Sequence, residues 1–263
     1  MSRYLGRISK KADIHSVHRF RTHSRRVEAL VEEFVPESGN KSKLLKQLSK
    51  LRKKAGKLRD LDVQLAFLDE LKMPDRQNHR AELMHQLREE KARRAKKLAK
   101  SFASDRVRKV RKRLGRAKKD MRFDGADALQ LAFKRLPKPQ ASAMNEQSLH
   151  ACRIAAKRAR YLAELAGDTP GAAAFIDELK RAQDEIGQWH DVLKLEARAK
   201  KLFGGVRDSA LVSALQNISR ARFRRASAAL HGALAAIEKL HVHSAEPKPA
   251  TSASLAAQAT AAA

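Results

Sequence analysis

Apolar residues recur every three or four positions along most of the chain, which is the spacing of amphipathic α-helices. The pattern predicts helices over approximately residues 13–34, 41–71, 77–119, 124–135, 145–166, 172–203 and 206–241. The first of these begins at residue 13 or 16, and the third is expected to bend near residues 101–105. No stretch shows a convincing strand pattern, so the sequence predicts an all-α fold.

The two ends of the chain lack this helical pattern. Residues 1–11 are basic and poor in core residues, and we expect a loose N-terminal arm. Residues 242–263 are Ala-rich and low in complexity, and we expect a disordered tail. Pro137 and Pro139 mark a linker between two helical halves, which we place at residues 12–136 and 137–241.

Two blocks of sequence occur twice, in the same order. The segment VHRFRTHSRRVEALVEEF, from Val17, aligns with LHACRIAAKRARYLAELA, from Leu149. The segment LLKQLSKLRKKAGKLRDLDV, from Leu44, aligns with FIDELKRAQDEIGQWHDVLK, from Phe175. The first pair is offset by 132 positions and the second by 131, which indicates a duplicated helical unit.

The repeated blocks place basic residues on one face of a helix. At about 100° per residue, His18, Arg21 and Arg25 lie close together and opposite an apolar stripe. In the second half, the corresponding basic face contains His150, Arg153, Lys157 and Arg160. The helix over residues 41–71 carries a third stripe, made of lysines: Lys43, Lys46, Lys50, Lys54 and Lys57.

The net charge of the chain indicates what kind of ligand these basic stripes bind. The chain has 57 Lys and Arg against 29 Asp and Glu, a formal net charge of +28, and such a field attracts polyanions. A charged helix face is ordinarily just solvated. Here the stripes have one sign and recur in both halves, whereas a face that serves solubility interleaves Glu with Lys. The sequence therefore favours a polyanion-binding protein.

The repeated blocks resemble the CHAD family, named for conserved histidines in an α-helical domain. The resemblance covers about residues 12–240 through VHxxRxxxRR, LHxxRIxxKRxRY, GKLRDLDV and LKRAQDEIGQWHD. It implies two pseudo-symmetric four-helix bundles that form one unit with a central basic groove or pore. It also implies that this groove binds inorganic polyphosphate and that the protein associates with polyphosphate granules. No N-terminal apolar stretch resembles a signal peptide, so we expect the protein in the cytoplasm.

The candidate polyphosphate-binding residues combine the family positions with the lysine stripe. They are His18, Arg21, Arg25, Arg26, Lys43, Lys46, Lys50, Lys54, Lys57, His150, Arg153, Lys157, Arg158, Arg160 and Arg181. Glu28 stands where the second repeat has Arg160 and where the family usually has a basic residue. An acid at that position weakens the local field, so we expect the first repeat's contact to end at Arg25 or Arg26.

Two other function classes stay open. Nonspecific nucleic-acid binding would suit residues 91–119, which hold 15 basic residues and one acid, Asp105, although we expect this run to extend the groove. Few aromatic residues are available for base stacking, and no zinc-finger or RRM signature occurs. Catalysis on phosphoanhydrides would need an E-x-E-x-K barrel motif or a Walker A motif, and neither occurs. We therefore expect no catalysis, no metal and no cofactor.

Other conspicuous residues have ordinary structural interpretations. Cys152 alone cannot form an internal disulfide and is expected in the core. Trp189 is expected between packed helices, and Asp60 and Asp191 are expected to pair with arginine or to cap a helix. No apolar run reaches membrane-spanning length, so we expect no membrane partner. The oligomeric state stays open.

Overall fold

The structure, a computed structural model, describes residues 2–10, 13–122, 125–137, 144–167 and 169–245. The helices in these ranges are α1 (Ser2–Lys10), α2 (Ile14–Phe34), α3 (Gly39–Glu70), α4 (His79–Ser101), α5 (Ser104–Asp120), α6 (Gly125–Lys134), α7 (Glu146–Ala163), α8 (Ala172–Phe203) and α9 (Ala210–Ala245). The described residues contain no strand, which confirms the predicted all-α class. Most of the expected linker, 138–143, and of the expected tail, from 246, lies outside them.

Polar side chains fix where the main helices begin. The Asp13 carboxylate accepts a hydrogen bond from the Ser16 amide at 2.8 Å, and the Ser38 hydroxyl accepts one from the Lys41 amide at 3.2 Å. Asn145 and Ser148 bond each other's backbone amides in a capping box at the start of α7. Because a side-chain oxygen satisfies an amide that the helix leaves free, these caps set the starts of α2, α3 and α7. The starts lie within two residues of the predicted ones.

The long basic pattern forms two helices rather than one bent helix. α4 ends at Ser101, and α5 begins at Ser104 after a break at Phe102 and Ala103. The Phe102 ring is buried and packs edge-to-face on Phe20, with 5.0 Å between the ring centroids. At this break the Phe102 side chain packs into the core, between the two basic helices.

The N-terminal residues form a packed helix, and the expectation of a loose arm is wrong. Leu5 and Ile8 are completely buried in a cluster with Val17 and Phe20. α1 packs on α2, α4 and α5. Leu5 and Ile8 lie three positions apart on one helix face, and Tyr4 packs against the same cluster, so these side chains dock a segment that is otherwise mostly polar.

Two apolar clusters form the two halves of the molecule. The first joins α1, α2, α3, α5 and the end of α4. The second joins α6 and α7 to the start of α8 and the end of α9. α6 packs on α7, and its Phe133 ring meets Phe175 of α8 edge-to-face at 4.9 Å. α6, which the predicted division at residues 136 and 137 assigns to the first half, therefore packs within the second cluster.

The two halves share a third apolar cluster. Leu61 and Leu68 of α3 and Leu83 of α4 pack with Val192 and Leu195 of α8, and Leu211 and Leu215 of α9 complete the cluster. α2 also packs on α7, and α3 on α8. The halves thus meet through buried apolar surface as well as through charged helix faces. α9 runs to Ala245, four residues beyond the predicted end, and no helix among the described residues could span a membrane.

The packing of α1 can be tested by truncating its buried side chains. Leu5→Ala or Ile8→Ala should each lower the free energy of unfolding by about 2–5 kcal/mol, because each leaves a cavity in the first cluster. Arg7→Ala, on the exposed face, should cost less than about 1 kcal/mol, the value of its exposed contact with the Tyr4 ring. Urea unfolding measures all three, and an unchanged Leu5→Ala variant would contradict the packed helix.

Candidate polyanion-binding site

The basic stripes of the two repeats face each other across the α2–α7 contact. Arg21 and Arg25 come from α2, and Arg153 and Lys157 come from α7; we call these four residues the central cluster. Burial and the charges of Arg153, Arg25 and Arg21 lower the pKa of Lys157 to about 6. Burial makes the largest contribution to this shift, and the three arginines add to it because they lie close to Lys157 in a poorly solvated place. The predicted convergence of the two stripes is thus present.

The apolar side of each helix produces this orientation. On α2, Val17, Phe20 and Val31 are buried in the first core cluster. On α7, Ala156, Ala159 and Leu162 are buried in the second. Because a helix that buries one face must present its other face elsewhere, the stripes are turned toward the boundary between the halves. Cys152 and Trp189 are buried, as the sequence predicts.

Two aspartates lie beneath the cluster. Asp60 of α3 is 3.7 Å from Arg21 Nη1 and 3.0 Å from Lys194 Nζ. Burial and the neighbouring Asp60 charge raise the pKa of Asp191, while Arg153, Lys194 and Arg21 oppose that rise. The Asp60 contact matches the predicted pairing with arginine, and the pairing of Asp191 stays a prediction. The cations around the pair outnumber it, so the cluster keeps an excess of positive charge.

Two guanidinium groups at this site keep an unused hydrogen-bond donor. The Nε atoms of Arg21 and Arg153 are buried, and they have no hydrogen-bond partner among the described residues. Arg160 Nε is also buried, but it lies 3.8 Å from Glu164 Oε1 and is engaged in that ion pair. Burial lowers the pKa of Arg21 to about 10, which leaves the guanidinium charged at neutral pH. Buried donors normally find an acceptor, and an anionic oxygen is the strongest acceptor for a guanidinium.

Neutral histidines flank the cluster. The pKa of His18 is lowered by burial and by the charges of Arg59 and Arg21, and that of His150 by burial and the charge of Arg153. The His150 ring lies 4.9 Å from the ring of His190, whose pKa falls to about 3 through burial and the Lys194 and Arg153 charges. An anion at this place would favour the protonated forms.

Arg59 and His190 were not among the candidate residues, although the repeat contained the signal for them. They occupy the same position of the second repeated block, 131 residues apart, each directly before the paired aspartate. Arg59 acts on His18 and His190 lies beside His150. A residue-by-residue comparison of the two blocks identifies both.

Arg26 and Arg158 form ion pairs with glutamates of the protein itself. Arg26 Nε is 2.6 Å from a carboxylate oxygen of Glu164, and Arg158 pairs with Glu32. The two arginines are 132 positions apart, as are the two glutamates, so the pairs are reciprocal. A twofold axis between the halves would produce such reciprocity, and the pseudo-symmetry stays a prediction. These bridges hold α2 on α7 and leave both arginines less available to a ligand.

Glu28 has a partner that the repeat did not indicate. Both of its carboxylate oxygens accept hydrogen bonds from Arg52 Nε of α3, at 2.8 and 3.0 Å. Burial raises the pKa of Glu28, while the Arg52 bond opposes the rise. The Arg52 charge therefore compensates much of the Glu28 charge, which was expected to weaken the positive field of the first repeat.

The remaining candidates lie away from the central cluster. Arg181 is exposed and pairs with Glu178 of its own helix. Lys43, Lys46 and Lys50 are exposed on α3. Lys54 and Lys57 line an open cavity of about 380 Å³ together with cations from α4 and α5; its residues are Lys54, Lys57, Arg94, Lys97, Leu98, Lys100, Ser101 and Arg106. We call it the α3–α5 cavity, and none of its lining residues belongs to the central cluster.

Comparisons with known proteins agree with this architecture. The crystal structure of the CHAD domain from the plant Ricinus communis matches with a TM-score of 0.66, covering 90% of this chain and 86% of that one. At 21% identity, that likeness shows the fold alone. No curated protein matches the chain. The model of the CHAD domain family matches residues 3–200, which is most of the chain, and the chain therefore belongs to the CHAD family.

Proposed function

We propose that this protein binds inorganic polyphosphate at the central cluster and holds it without cleaving it. The observation that carries the proposal is the convergence of Arg21, Arg25, Arg153 and Lys157 from two helices onto one half-buried place. Burial, together with repulsion from the charges of Arg153, Arg25 and Arg21, brings the pKa of Lys157 to about 6. An anion relieves this repulsion, and a chain of anions relieves it along both stripes.

The donor groups suit phosphate oxygens. A guanidinium presents a planar fork that can bond two oxygens, and an ammonium supplies a compact charge. The free Nε donors of Arg21 and Arg153 would be satisfied by such oxygens. Polyphosphate is a flexible chain without bases, so it can follow half-buried cations that the broad surface of a nucleic-acid duplex reaches poorly.

The carboxylates near the cluster support binding rather than chemistry. Asp60 is held by Arg21 and Lys194, so its position and charge serve the cations around it. Asp191 has a raised pKa and lies among the same cations. In a cell that stores polyphosphate in granules, binding without cleavage would keep the protein at the granule surface in the cytoplasm.

Removing two cations of the cluster should weaken binding and its salt dependence. Arg25→Gln combined with Lys157→Met should raise the Kd for long-chain polyphosphate about tenfold or more at physiological salt. The slope of log K against log salt should fall by about 1–2, because fewer condensed counterions are released. A salt-titrated binding assay measures both quantities.

A matched control separates the cluster from the general positive field. Lys180→Gln combined with Lys201→Gln removes two basic side chains from exposed positions on α8, and at least as much charge from the free protein, yet it should change the Kd much less. Equal losses in the two double variants would show that only net charge matters. If duplex DNA bound more tightly than polyphosphate at matched salt and lost affinity only in the cluster variant, the site would be a nucleic-acid site instead.

Binding should become tighter as the pH falls from 8 to 6. Free Lys157 has a pKa of about 6, and bound phosphate raises it, so binding above pH 6 takes up a proton. The affinity should therefore rise by up to about tenfold per pH unit from this residue, with a further increase from His18 and His150. Below pH 6 Lys157 is already charged in the free protein, and its contribution levels off.

Lys157→Arg provides the control, because arginine stays charged throughout this range. The variant should bind polyphosphate with a shallower pH profile, leaving the part due to the histidines. Calorimetry in buffers of different ionisation enthalpy should show fewer protons taken up than by the wild type. Identical profiles for the two proteins would rule out Lys157 as the titrating group.

A further inference from the structure

The α3–α5 cavity holds a second concentration of positive charge. Lys54 and Lys57 of α3 line it, and so do residues on either side of the break between α4 and α5: Arg94, Lys97, Lys100 and Arg106. Because α4 ends at Ser101 and α5 starts at Ser104, cations of both basic segments meet at one place. This gives the basic run at residues 91–119 a defined location on the surface.

The floor of the cavity is held by buried residues. Leu98 is buried in the first core cluster beside Phe102. The hydroxyl of buried Ser101 accepts a hydrogen bond from Lys54 Nζ at 2.6 Å and donates one to the Lys97 carbonyl oxygen at 2.8 Å. This hydrogen bond holds the ammonium group of exposed Lys54 at the buried floor of the cavity.

The charge in the cavity is largely unmatched. Arg94 is bonded to Glu90, which also holds Arg198. Within the described ranges, Lys57, Lys97, Lys100 and Arg106 have no acidic side chain at ion-pair distance. The first part of α4 does interleave its charges, since Glu89 faces His85 and Arg93. A solvated face would continue to alternate acidic and basic residues. At the cavity end of α4, however, all the charged residues are basic.

One turn of α3 connects the cavity with the central cluster. A Cβ atom built on Gly56 would lie 3.6 Å from Arg21 Nη2, so the Arg21 side chain packs directly on this glycine. The next residue, Lys57, lines the cavity. Exposed Lys53 lies at about 60° and Lys57 at about 100° around the helix from Gly56. Lysines therefore mark a short path around α3 between the two sites.

We propose that the α3–α5 cavity is a second phosphate-binding subsite for the same polyphosphate chain. A long chain held at the central cluster passes around α3 and is anchored again in the cavity, whereas a short chain occupies the central cluster alone. The inference rests on the proposed function. Its consequence is selectivity for long chains, because the second contact forms at a high effective concentration once the first is made.

The test compares two triple variants of equal charge. Lys97→Gln, Lys100→Gln and Arg106→Gln remove three cations from the cavity. Lys112→Gln, Arg116→Gln and Lys119→Gln remove three exposed cations from α5 outside it. The Kd for long-chain polyphosphate should rise about tenfold or more in the cavity variant and about threefold or less in the control. The Kd for tripolyphosphate should change equally little in both.

A protection experiment maps the site without any substitution. Long-chain polyphosphate should shield Lys57, Lys97 and Lys100 of the wild type from an amine-reactive reagent, and tripolyphosphate should not. Equal loss of affinity in the two triple variants, together with no protection, would overturn the inference. So would a difference between the variants that appears with DNA and not with polyphosphate.

The failures of the two proposals are distinguishable. If the Arg25 and Lys157 double variant loses affinity while the cavity variant behaves like its control, the central site stands and the subsite does not exist. If the cavity variant loses affinity while the double variant binds like the wild type, polyphosphate binds at the cavity alone, and the path around α3 is wrong. A wild type that binds no polyphosphate overturns both.

Discussion

The site depends on electrostatic repulsion between like charges, which the packed helices hold close together. Arg21, Arg25, Arg153 and Lys157 would separate if they were on flexible segments, and the apolar faces of α2 and α7 hold them together instead. Reciprocal bridges from Arg26 to Glu164 and from Arg158 to Glu32 fasten the same two helices. The packed cores thus keep like charges close together in a poorly solvated place, and burial with these charges lowers the pKa of Lys157 to about 6.

Periodicity and repetition account for the features that the sequence predicted correctly. The apolar spacing defined the helices, and the position of His18, Arg21 and Arg25 opposite Phe20 fixed which way the stripe faces. The repeat then implied that α7 presents a matching stripe. The helix pattern is local in the sequence, and the second stripe repeats the first, so a single sequence is enough to find both features.

The sequence did not reveal which charges are neutralised across the fold. The glutamates that pair with Arg26 and Arg158 are distant in the chain, and so is the Arg52 that binds Glu28. α1 was missed because two apolar residues among many polar ones give a weak periodic signal, although Leu5 and Ile8 are completely buried. The α3–α5 cavity depends on where a helix breaks, and the buried ring of Phe102 decides that only in the packed molecule.

The apolar cluster shared by the halves has an evolutionary consequence. Leu61, Leu68, Val192 and Leu195 would be exposed if either half existed alone, so each half needs the other to cover its apolar surface. In a dimer of identical chains every substitution appears twice, whereas in a fused chain it appears once. Divergence at matched positions then becomes tolerable: where the first copy has Lys53 and Lys54, the second has Asp184 and Glu185. A single chain therefore tolerates a different charge at matched positions of its two halves, which two identical chains would not allow.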